Sequence, residues 1–411
     1  MHLDVLIFGG GAAGLWLLDD LTRRGARALL LEADRLGSGQ TIASQGIIHG
    51  GLKYTLQGAL TPSAVQVREM PGLWRDCLAG VRQPDLRGVR LRAAHCHLWR
   101  TDAFASRLGM IGARVGLRVA PQVLATDERP TALSRCPGVV AQLDEPVLAP
   151  ESLLEALLQE NRARVLCVAP SQIEIELEAP GSVRTVRLSD PTTVTHLDLA
   201  PQHVVLAAGR GNAELRRRCG LSDTAMQSRP LHMVLVRGEL PALNGHCVDG
   251  RATRVTITSD RDADGRTVWQ VGGQIAEIGV QLDERSLLAR AADEVRAVIP
   301  GIDLSQAEWT GYRVDRAEQR TPGGTRPESV GILCEGNLIT AWPTKLALVP
   351  YLAERILERV GSLGTDSNDS REETAICEAW PRPQVALLPW ETPRAWVTTS
   401  EFSEAKRRKA A

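Results

Sequence analysis

The amino-acid sequence predicts an α/β protein with two domains, a nucleotide-binding domain and a second α+β domain built on a mixed sheet. Two observations carry this prediction. The first 32 residues contain a strand, a glycine-rich turn, a helix and a second strand, which is the pattern of a βαβ unit. Short strands separated by turn signals follow at residues 164–199 and again after residue 231, a spacing typical of antiparallel sheets.

The βαβ unit begins the chain. Residues 5–8 form an apolar strand, residues 12–24 have the apolar spacing of a helix, and residues 28–31 form a second apolar strand. Between the first strand and the helix stands Gly9-Gly10-Gly11-Ala12-Ala13-Gly14, which satisfies G-x-G-x-x-G. Glu32 follows the second strand, 18 residues after the last glycine. Because the strands, the turn, the helix and the acidic residue stand in the expected order and spacing, they predict a Rossmann-like dinucleotide site. The alternative, a glycine turn that binds nothing, is less favoured.

The chemistry of this turn narrows the set of possible cofactors. Glycines let the backbone approach a pyrophosphate, whose negative charge the helix N-terminus favours. An acidic residue at position 32 can hold unphosphorylated ribose hydroxyls, which favours FAD or NAD over NADP.

Later segments predict both helices and strands. Proline is expected to kink or split the second helix at Pro71 and the last one at Pro350. Further strands are predicted at residues 89–99, 231–237, 253–258, 267–272 and from 307. Further helices are predicted at residues 63–77, 102–115, 149–163, 283–298 and from about 344.

Composition excludes several classes of protein. The chain has 411 residues, enough for two or three domains, and a formal net charge of -1, so no global field attracts it to nucleic acid. Its eight cysteines form no CxxC pair, which argues against a disulfide scaffold and a zinc site. The run His95-Cys96-His97 is a weak metal pattern, because strand alternation separates Cys96 from the two histidines. We predict no metal site.

The N-terminus lacks the features of a signal peptide, and no stretch approaches the ~20 apolar residues needed to span a bilayer. These features predict a cytoplasmic protein without a transmembrane segment. Peripheral association with the inner face of the membrane stays open.

The segment "QTIASQGIIHGGLKY", from Gln40 to Tyr54, has three glycines within a short apolar run. Glycines of this kind indicate that the backbone passes close to a ligand or adopts positive φ. Three later segments matter beside it. They are "HVVLAAGRGN", "EWTGYR" and "NLITAWPTKLALVPYLAERI".

Together these segments resemble, in order, the cofactor motifs of the D-amino-acid-oxidase / glycerol-3-phosphate-dehydrogenase superfamily. The resemblance covers about residues 3–360 and implies a glutathione-reductase-type, D-amino-acid-oxidase-like fold with non-covalently bound FAD. The FAD-binding domain is predicted to take residues 1–85, 146–222 and 326–362, and the substrate domain residues 86–145 and 223–325. Residues 363–411 are a predicted C-terminal tail, polar and flexible at first and then rich in Pro and Trp.

The motif and the resemblance together predict the cofactor contacts. Small side chains and backbone N–H groups between Gly39 and Ser44 would bind phosphate and ribityl oxygens, and Gly46, Gly50 and Gly51 would leave room for the isoalloxazine. The predicted contacts are Gly9, Gly11, Ala12, Ala13, Gly14, Glu32, Gly39, Gln40, Thr41, Ser44, Gln45, Gly46, Gly50, Gly209, Thr344, Lys345 and Leu346.

The resemblance also implies catalytic residues. His232 is the first candidate for the base that takes a proton while hydride leaves for flavin N5, and His49 is the second. Arg313 would clamp a carboxylate or phosphate. Lys345 would stabilise the negative charge of the reduced flavin. The alternatives are structural histidines, an ion pair of Arg313 with Asp315, a solvated Lys345, and covalent attachment of flavin through His49.

Three details lean towards the respiratory glycerol-3-phosphate dehydrogenases. Lys345-Leu346 matches the Lys-Leu of their last motif, and His232 opens a substrate-domain strand as a histidine does in those enzymes. Their active-site loop has His-Gly-Gly-Leu-Arg-Tyr, against residues 49–54 here, so Lys53 replaces an arginine, and Lys53 and Tyr54 would line the substrate mouth. Their last motif has glycines where this chain has Pro343 and Thr344.

The predicted activity is FAD-dependent oxidation of a C–OH bond in a small anionic substrate, a 2-hydroxy acid or a polyol phosphate. The alternatives are C–N oxidation of an amino acid or secondary amine, a non-catalytic flavin protein in an assembly, and a nicotinamide dehydrogenase. The electron acceptor stays open between oxygen, a quinone and a redox protein.

Overall fold

A computed structural model describes most of the chain. It covers residues 1–51, 62–101, 121–189, 196–249, 252–361 and 380–402. The helix predicted at residues 102–115, the side chains of Lys53 and Tyr54, and the polar stretch predicted as flexible lie outside the described residues.

The described residues form strands and helices as follows. The strands are β1 (His2–Phe8), β2 (Ala28–Glu32), β3 (Leu91–Ala93), β4 (Cys96–Trp99), β5 (Gln122–Val123), β6 (Val140–Leu143), β7 (Val147–Leu148), β8 (Val165–Cys167), β9 (Ile173–Ala179), β10 (Ser182–Ser189), β11 (His196–Leu206), β12 (Met226–Gly238), β13 (Gly245–Asp249), β14 (Ala252–Arg261), β15 (Thr267–Gly272), β16 (Glu308–Gln319), β17 (Gly331–Glu335), β18 (Leu338–Trp342) and β19 (Val397–Thr398). The helices are α1 (Ala12–Arg23), α2 (Pro62–Leu78), α3 (Pro150–Asn161), α4 (Asn212–Arg218), α5 (Gln274–Ile278), α6 (Glu284–Val298) and α7 (Val349–Val360).

The first sheet has the order β17-β18-β11-β1-β2-β8. β1 runs parallel to β2 and β11, so the predicted βαβ unit is confirmed. β9, β10 and β11 form the predicted antiparallel meander, which joins this sheet through β11. Helix α1 packs in the same apolar core as α3 and α7. The carboxyl ends of β1, β2, β11 and β18 therefore gather at one edge, where ligands of such sheets bind.

The second sheet is mixed, with the order β19-β16-β12-β15-β14-β13-β4-β6-β5. β13 runs parallel to β4, and the other neighbours are antiparallel. β12 and β16 pair without a break from Met226–Gln319 to Arg237–Glu308. This long uninterrupted ladder fixes which side chains share a face, because alternate residues of a strand point to opposite faces.

The two faces of the β12–β16 ladder meet different parts of the molecule. Val234 and Val236 pack in the core cluster of α6, so we call this side the helix face. Leu235 packs instead in the core of the first sheet. Tyr312 packs partly buried against that core, and its hydroxyl donates to Ala43 O at 3.3 Å. We call this side the segment face, because residues 40–51 lie against it.

Three details differ from the sequence-based expectations. The strand predicted at residues 89–99 is divided into β3 and β4. α2 continues through Pro71 as one helix. The kink predicted at Pro350 is wrong, because Pro350 lies in the first turn of α7, where a missing N–H costs no helical bond.

The described part of the C-terminal tail lies on both sheets. Val385 forms a parallel bridge with Leu36 beside β2, and Trp390 belongs to the core of the first sheet. β19 pairs with β16 in the second sheet. The other strands of these two sheets fall within the ranges predicted for one domain each, but a third, two-stranded sheet pairs β3 of the predicted substrate domain with β7 of the predicted FAD-binding domain. Strand membership alone does not set domain boundaries, so these stay a prediction.

Candidate cofactor and active site

The glycine-rich turn is packed too closely for side chains. Gly9 has φ +106°, and a Cβ there would lie 2.5 Å from Ala208 Cα and 2.7 Å from Ala207 O. A Cβ on Gly14 would lie 2.0 Å from Gly9 O. The turn therefore lies directly against the residues that follow β11, among them Gly209, which also has positive φ (57°).

The N-terminus of α1 has no side chain of its own as a cap. Its N-cap residue, Gly11, makes no side-chain cap hydrogen bond. Thr41 approaches from the Gln40 segment instead, and its Oγ1 accepts a hydrogen bond from Ala12 N at 3.2 Å. A helix of 12 residues with its first N–H groups at this edge favours an anionic group such as a pyrophosphate.

Glu32 is held by the backbone around the turn. Its Oε2 accepts from Gly10 N at 2.6 Å, and its Oε1 accepts from Ala33 N at 2.9 Å and Asp34 N at 3.2 Å. Burial raises the pKa of the carboxyl group, and these three hydrogen bonds act against the rise. A carboxylate accepts about four hydrogen bonds, so Glu32 keeps capacity for a ribose hydroxyl.

The Gln40 segment, residues 40–51, crosses the second sheet from β16 towards β13. At its start, Gln40 Oε1 accepts from Ala317 N at 2.6 Å. Next, Ala43 O accepts from Gln270 Nε2 at 2.8 Å. Gln270 Nε2 also contacts the Tyr312 hydroxyl, whose pKa burial raises far above its usual range. These contacts run across neighbouring strands, so the segment is fixed by the sheet.

Gln45 continues this crossing. Its Nε2 donates to Thr256 O at 2.9 Å and to Gln270 O at 2.8 Å. The side chains of Gln40 and Gln45 thus hold the segment on the sheet, and their predicted cofactor contacts stay predictions. Between them, the buried Ser44 hydroxyl has no hydrogen-bond partner among the described residues. That orphaned hydroxyl fits the predicted contact with a ribityl or phosphate oxygen.

Several glycines of the segment meet the protein itself. Gly46 has φ +73°, and a Cβ there would lie 2.0 Å from Leu148 O. A Cβ on Gly50 would lie 3.2 Å from Pro71 Cγ and 3.4 Å from Glu145 Oε1. Gly39, by contrast, has nothing within 4 Å of such a Cβ among the described residues. Gly46 is therefore explained by β7, and its predicted place beside the isoalloxazine stays a prediction.

His49 lies in a cluster that no sequence motif indicated. Its Nδ1 is 3.5 Å from Glu145 Oε2, and its ring centroid is 5.1 Å from that of His246. Glu145 Oε1 accepts from Gly50 N at 2.6 Å. His246 Nδ1 lies 2.8 Å from Thr256 Oγ1. Glu145 and His246 are buried, whereas the His49 side chain is 22% exposed.

His232 and Arg313 are cross-strand partners on β12 and β16, so they share the helix face. His232 is buried, with Nδ1 3.2 Å from Gly279 O. Arg313 is exposed, and its Nη2 donates to Val280 O at 3.5 Å. The alternative ion pair with Asp315 is absent among the described residues, because Asp315 pairs with Arg210 at 3.1 Å. Among the described residues no hydrogen bond joins either side chain to the Gln40 segment, and their catalytic roles stay predictions.

The last predicted motif follows β18. Thr344 has φ 63°, a left-handed conformation that glycine adopts readily and a β-branched residue does not. Its hydroxyl donates to Ser329 O at 2.8 Å. Lys345 is buried and precedes the 3-10 turn that begins at Leu346. The departure from glycine noted in the sequence thus falls where the backbone needs positive φ.

The sequence missed Glu145 and His246. Each stands about 95 residues or more from His49 along the chain, in a stretch without a recognisable motif. No metal-binding pattern includes them, and His97, which does stand in one, has Nδ1 3.3 Å from Asn244 O.

The fold and this edge of the sheet define a class of protein. The sequence matches the family of FAD dependent oxidoreductases called DAO over residues 4–339. The chain belongs to this family and is an FAD-dependent oxidoreductase with a D-amino-acid-oxidase-like fold.

The individual relatives differ in closeness. The chain is 39% identical over 396 residues to the probable FAD-dependent oxidoreductase PA4991 of Pseudomonas aeruginosa, covering 95% of this chain and 98% of that protein. The crystal structure of PA4991 has a TM-score of 0.77 with this chain at 34% identity, covering 95% and 98%. The Gln40 segment and the glycine-rich turn therefore belong to a fold for which the crystal structure of a 34% identical relative is known.

More distant relatives bear names that point to two chemistries. Glycine oxidase of Geobacillus kaustophilus is 24% identical over 374 residues, covering 86% of this chain and 93% of that protein. The L-α-glycerophosphate oxidase of Mycoplasma pneumoniae, solved with FAD bound, has a TM-score of 0.59 at 14% identity, covering 97% and 100%. At this identity the likeness of structures shows the fold alone.

The residues present fit FAD. The glycines of the turn, the N-terminus of α1, the oriented Glu32 carboxylate and the Ser44 hydroxyl would hold its pyrophosphate, ribose and ribityl parts. No helix in the described part of the chain is long and apolar enough to cross a membrane.

Proposed function

We propose that this chain oxidises a C–OH bond in a small anionic substrate, a 2-hydroxy acid or a polyol phosphate. The observation that carries the proposal is the pair of His49 and the buried Glu145, 3.5 Å apart beside the Gln40 segment. FAD, when bound, supplies the two-electron acceptor for the hydride. The chain itself must then supply a group that takes the hydroxyl proton.

The two candidate reactions differ in their need for such a group. An alcohol holds its proton tightly, so a positioned base accelerates its oxidation by ~10²–10⁴-fold. An amine is already a neutral base once it has lost its ammonium proton, so its oxidation needs no strong base at the site. A carboxylate beside an imidazole stabilises the imidazolium that forms on proton transfer. The His49–Glu145 pair therefore favours C–OH oxidation.

The position of Glu145 is set by the backbone. Gly50 N donates to Oε1 at 2.6 Å, which leaves Oε2 as the oxygen nearest to the imidazole. With Glu145 buried, its charge acts on His49 with little screening by water. In this arrangement Glu145 orients His49, and His49 accepts the proton.

The other predicted roles have weaker support. His232 Nδ1 is within hydrogen-bond reach of Gly279 O, and the ring is on the helix face, so His49 is the better candidate base. Arg313 is exposed and has no ion pair among the described residues, so it keeps its proposed role as anion clamp. Lys345, Lys53 and Tyr54 keep their proposed places near the flavin and the substrate mouth.

The test is anaerobic bleaching of the flavin by candidate substrates. We expect 2-hydroxy acids or polyol phosphates to bleach the flavin, and amino acids not to. His49→Asn should slow bleaching by at least ~100-fold at unchanged flavin content, because Asn fills similar space without accepting a proton. His232→Asn is the matched control and should slow it far less. Bleaching by amines alone would rule out C–OH oxidation, and loss of activity only in His232→Asn would move the base to His232.

C–N oxidation is the second candidate. Its support is the 24% identical relative named glycine oxidase, which covers 86% of this chain. The same substrate screen separates the two reactions.

A further inference from the structure

We propose that His49, Glu145 and His246 bind a divalent zinc-class cation, and that this ion inhibits the oxidation. The inhibition rests on the proposed function, and the binding of the ion does not. The motifs of the sequence predicted no metal site. Among the described residues, however, these three offer ligand atoms that all lie within 4.8 Å of one another.

The spacing is close to that of a zinc site. Zinc bonds to nitrogen and oxygen of ~2.0–2.2 Å in a tetrahedron place neighbouring ligand atoms roughly 3.3 Å apart. His49 Nδ1 and Glu145 Oε2 are 3.5 Å apart already. The widest separation in the set, at most 4.8 Å, asks for a shift of up to about 1.5 Å in ligand-atom position, which a rotation of one imidazole supplies.

Outer contacts orient two of the three groups. Thr256 Oγ1 lies 2.8 Å from His246 Nδ1, which directs Nε2 away from β14. Gly50 N donates to Glu145 Oε1 at 2.6 Å, which directs Oε2 towards His49. Metal-binding histidines and carboxylates commonly have such partners on their remaining atoms, because these fix the tautomer and the ring orientation.

The donor set selects the class of ion. Two imidazoles and one carboxylate suit Zn²⁺ and its neighbours among the transition metals, whereas Mg²⁺ and Ca²⁺ prefer oxygen ligands. Three protein ligands leave a further position for water, as in catalytic zinc sites. Glu145 and His246 are buried and the His49 side chain is partly exposed, so the ion would enter past His49.

Such an ion would act on the proposed reaction. With the ion on His49 Nδ1, the neutral imidazole carries its proton on Nε2, so no lone pair is left there to accept the substrate proton. A chain with Zn²⁺ bound would therefore keep its flavin and lose its base.

The test is calorimetric titration of the flavin-loaded protein with ZnCl₂. We expect one Zn²⁺ per chain, an affinity at least about tenfold lower in His246→Asn, and a ~10–100-fold loss in Thr256→Val, which removes the hydroxyl that orients His246. If His246→Asn failed to fold, Thr256→Val would still test the site. The flavin absorbance shows whether each variant retains its cofactor. His196→Asn, an exposed histidine in the first sheet, should bind Zn²⁺ as the unaltered chain does.

Each other outcome decides against the proposal. Absence of Zn²⁺ binding, or equal affinity in His246→Asn and the unaltered chain, overturns the site. Binding at the cluster without slower flavin bleaching by the substrate overturns the inhibition. If no hydroxy compound bleaches the flavin, the proposed function fails while the calorimetric result still stands.

Discussion

The glycine-rich turn and the Gln40 segment both have glycines that leave no room for a side chain, but different parts of the molecule require them. In the turn, Gly14 is required by Gly9 O, and Gly9 by the end of the neighbouring strand β11. In the segment, Gly46 is required by Leu148 O, about 100 residues further along the chain. The segment also depends on Ala317 and Thr256. The turn is thus held by its own residues and by the end of β11 in the first sheet, and the segment by β7 and by the second sheet that it crosses.

This difference has a consequence for the proposed site. A turn held within the first sheet can serve a pyrophosphate in any member of a fold class. The segment brings His49 to Glu145 and His246. Glu145 lies in the connection between β6 and β7, and His246 lies in β13. Changes in the second sheet can therefore alter the surroundings of His49, the proposed base, while the glycine-rich turn stays the same.

The largest effect should come from Gly46→Ala. The new Cβ would meet Leu148 O, and alanine would be forced into positive φ. Overpacking and left-handed backbone together should lower the free energy of unfolding by ~3 kcal/mol or more. Urea denaturation followed by circular dichroism measures this loss.

Gly39→Ala, one residue before the segment, is the matched control. Nothing lies within 4 Å of a Cβ at Gly39 among the described residues, so we expect a change within ~0.5 kcal/mol. Equal effects of the two substitutions would mean that the segment is not held by β7.

A smaller effect is expected from Gln45→Leu. The substitution keeps most of the volume but removes two hydrogen bonds to Thr256 O and Gln270 O. The carbonyl groups left without this donor should cost about 1–3 kcal/mol of unfolding free energy. Differential scanning calorimetry of the flavin-free protein measures the cost. If stability were unchanged, the segment would not depend on the sheet in the way described.

The smallest effect is expected in the contact that joins the two regions. Thr41→Val removes the hydroxyl that accepts from Ala12 N at the start of α1. Loss of such a partner at a helix N-terminus costs ~1 kcal/mol, and flavin should bind a few-fold more weakly. Fluorescence titration with FAD measures the affinity. A large loss of affinity would assign Thr41 a direct part in cofactor binding.

The sequence predicted the local parts of this fold well. The βαβ unit, the meander and the helix at residues 284–298 follow from apolar periodicity and turn residues within short windows. Pro350 was misjudged, because a proline pattern alone does not say whether a helix starts or bends there.

The cluster at His49 could not be predicted in the same way. Its partners come from a strand connection and from β13, and only the tertiary fold brings them together. The faces of β12 show the same limit. Alternation states that His232 and Val234 share a face, but which face meets the Gln40 segment depends on how the two sheets pack.

The bridge between Leu36 and Val385 affects how the protein is made. Leu36 N donates to Gln384 O at 2.9 Å, and Leu36 O accepts from Ala386 N at 3.0 Å. A Cβ on Gly10 would lie 2.3 Å from Leu36 Cδ2, so Leu36 packs directly on the glycine-rich turn. The ribosome finishes the glycine-rich turn early and residues 384–386 very late. The backbone pairing that holds Leu36 beside the glycine-rich turn can therefore form only after residues 384–386 have been translated, at least 370 residues after the turn itself.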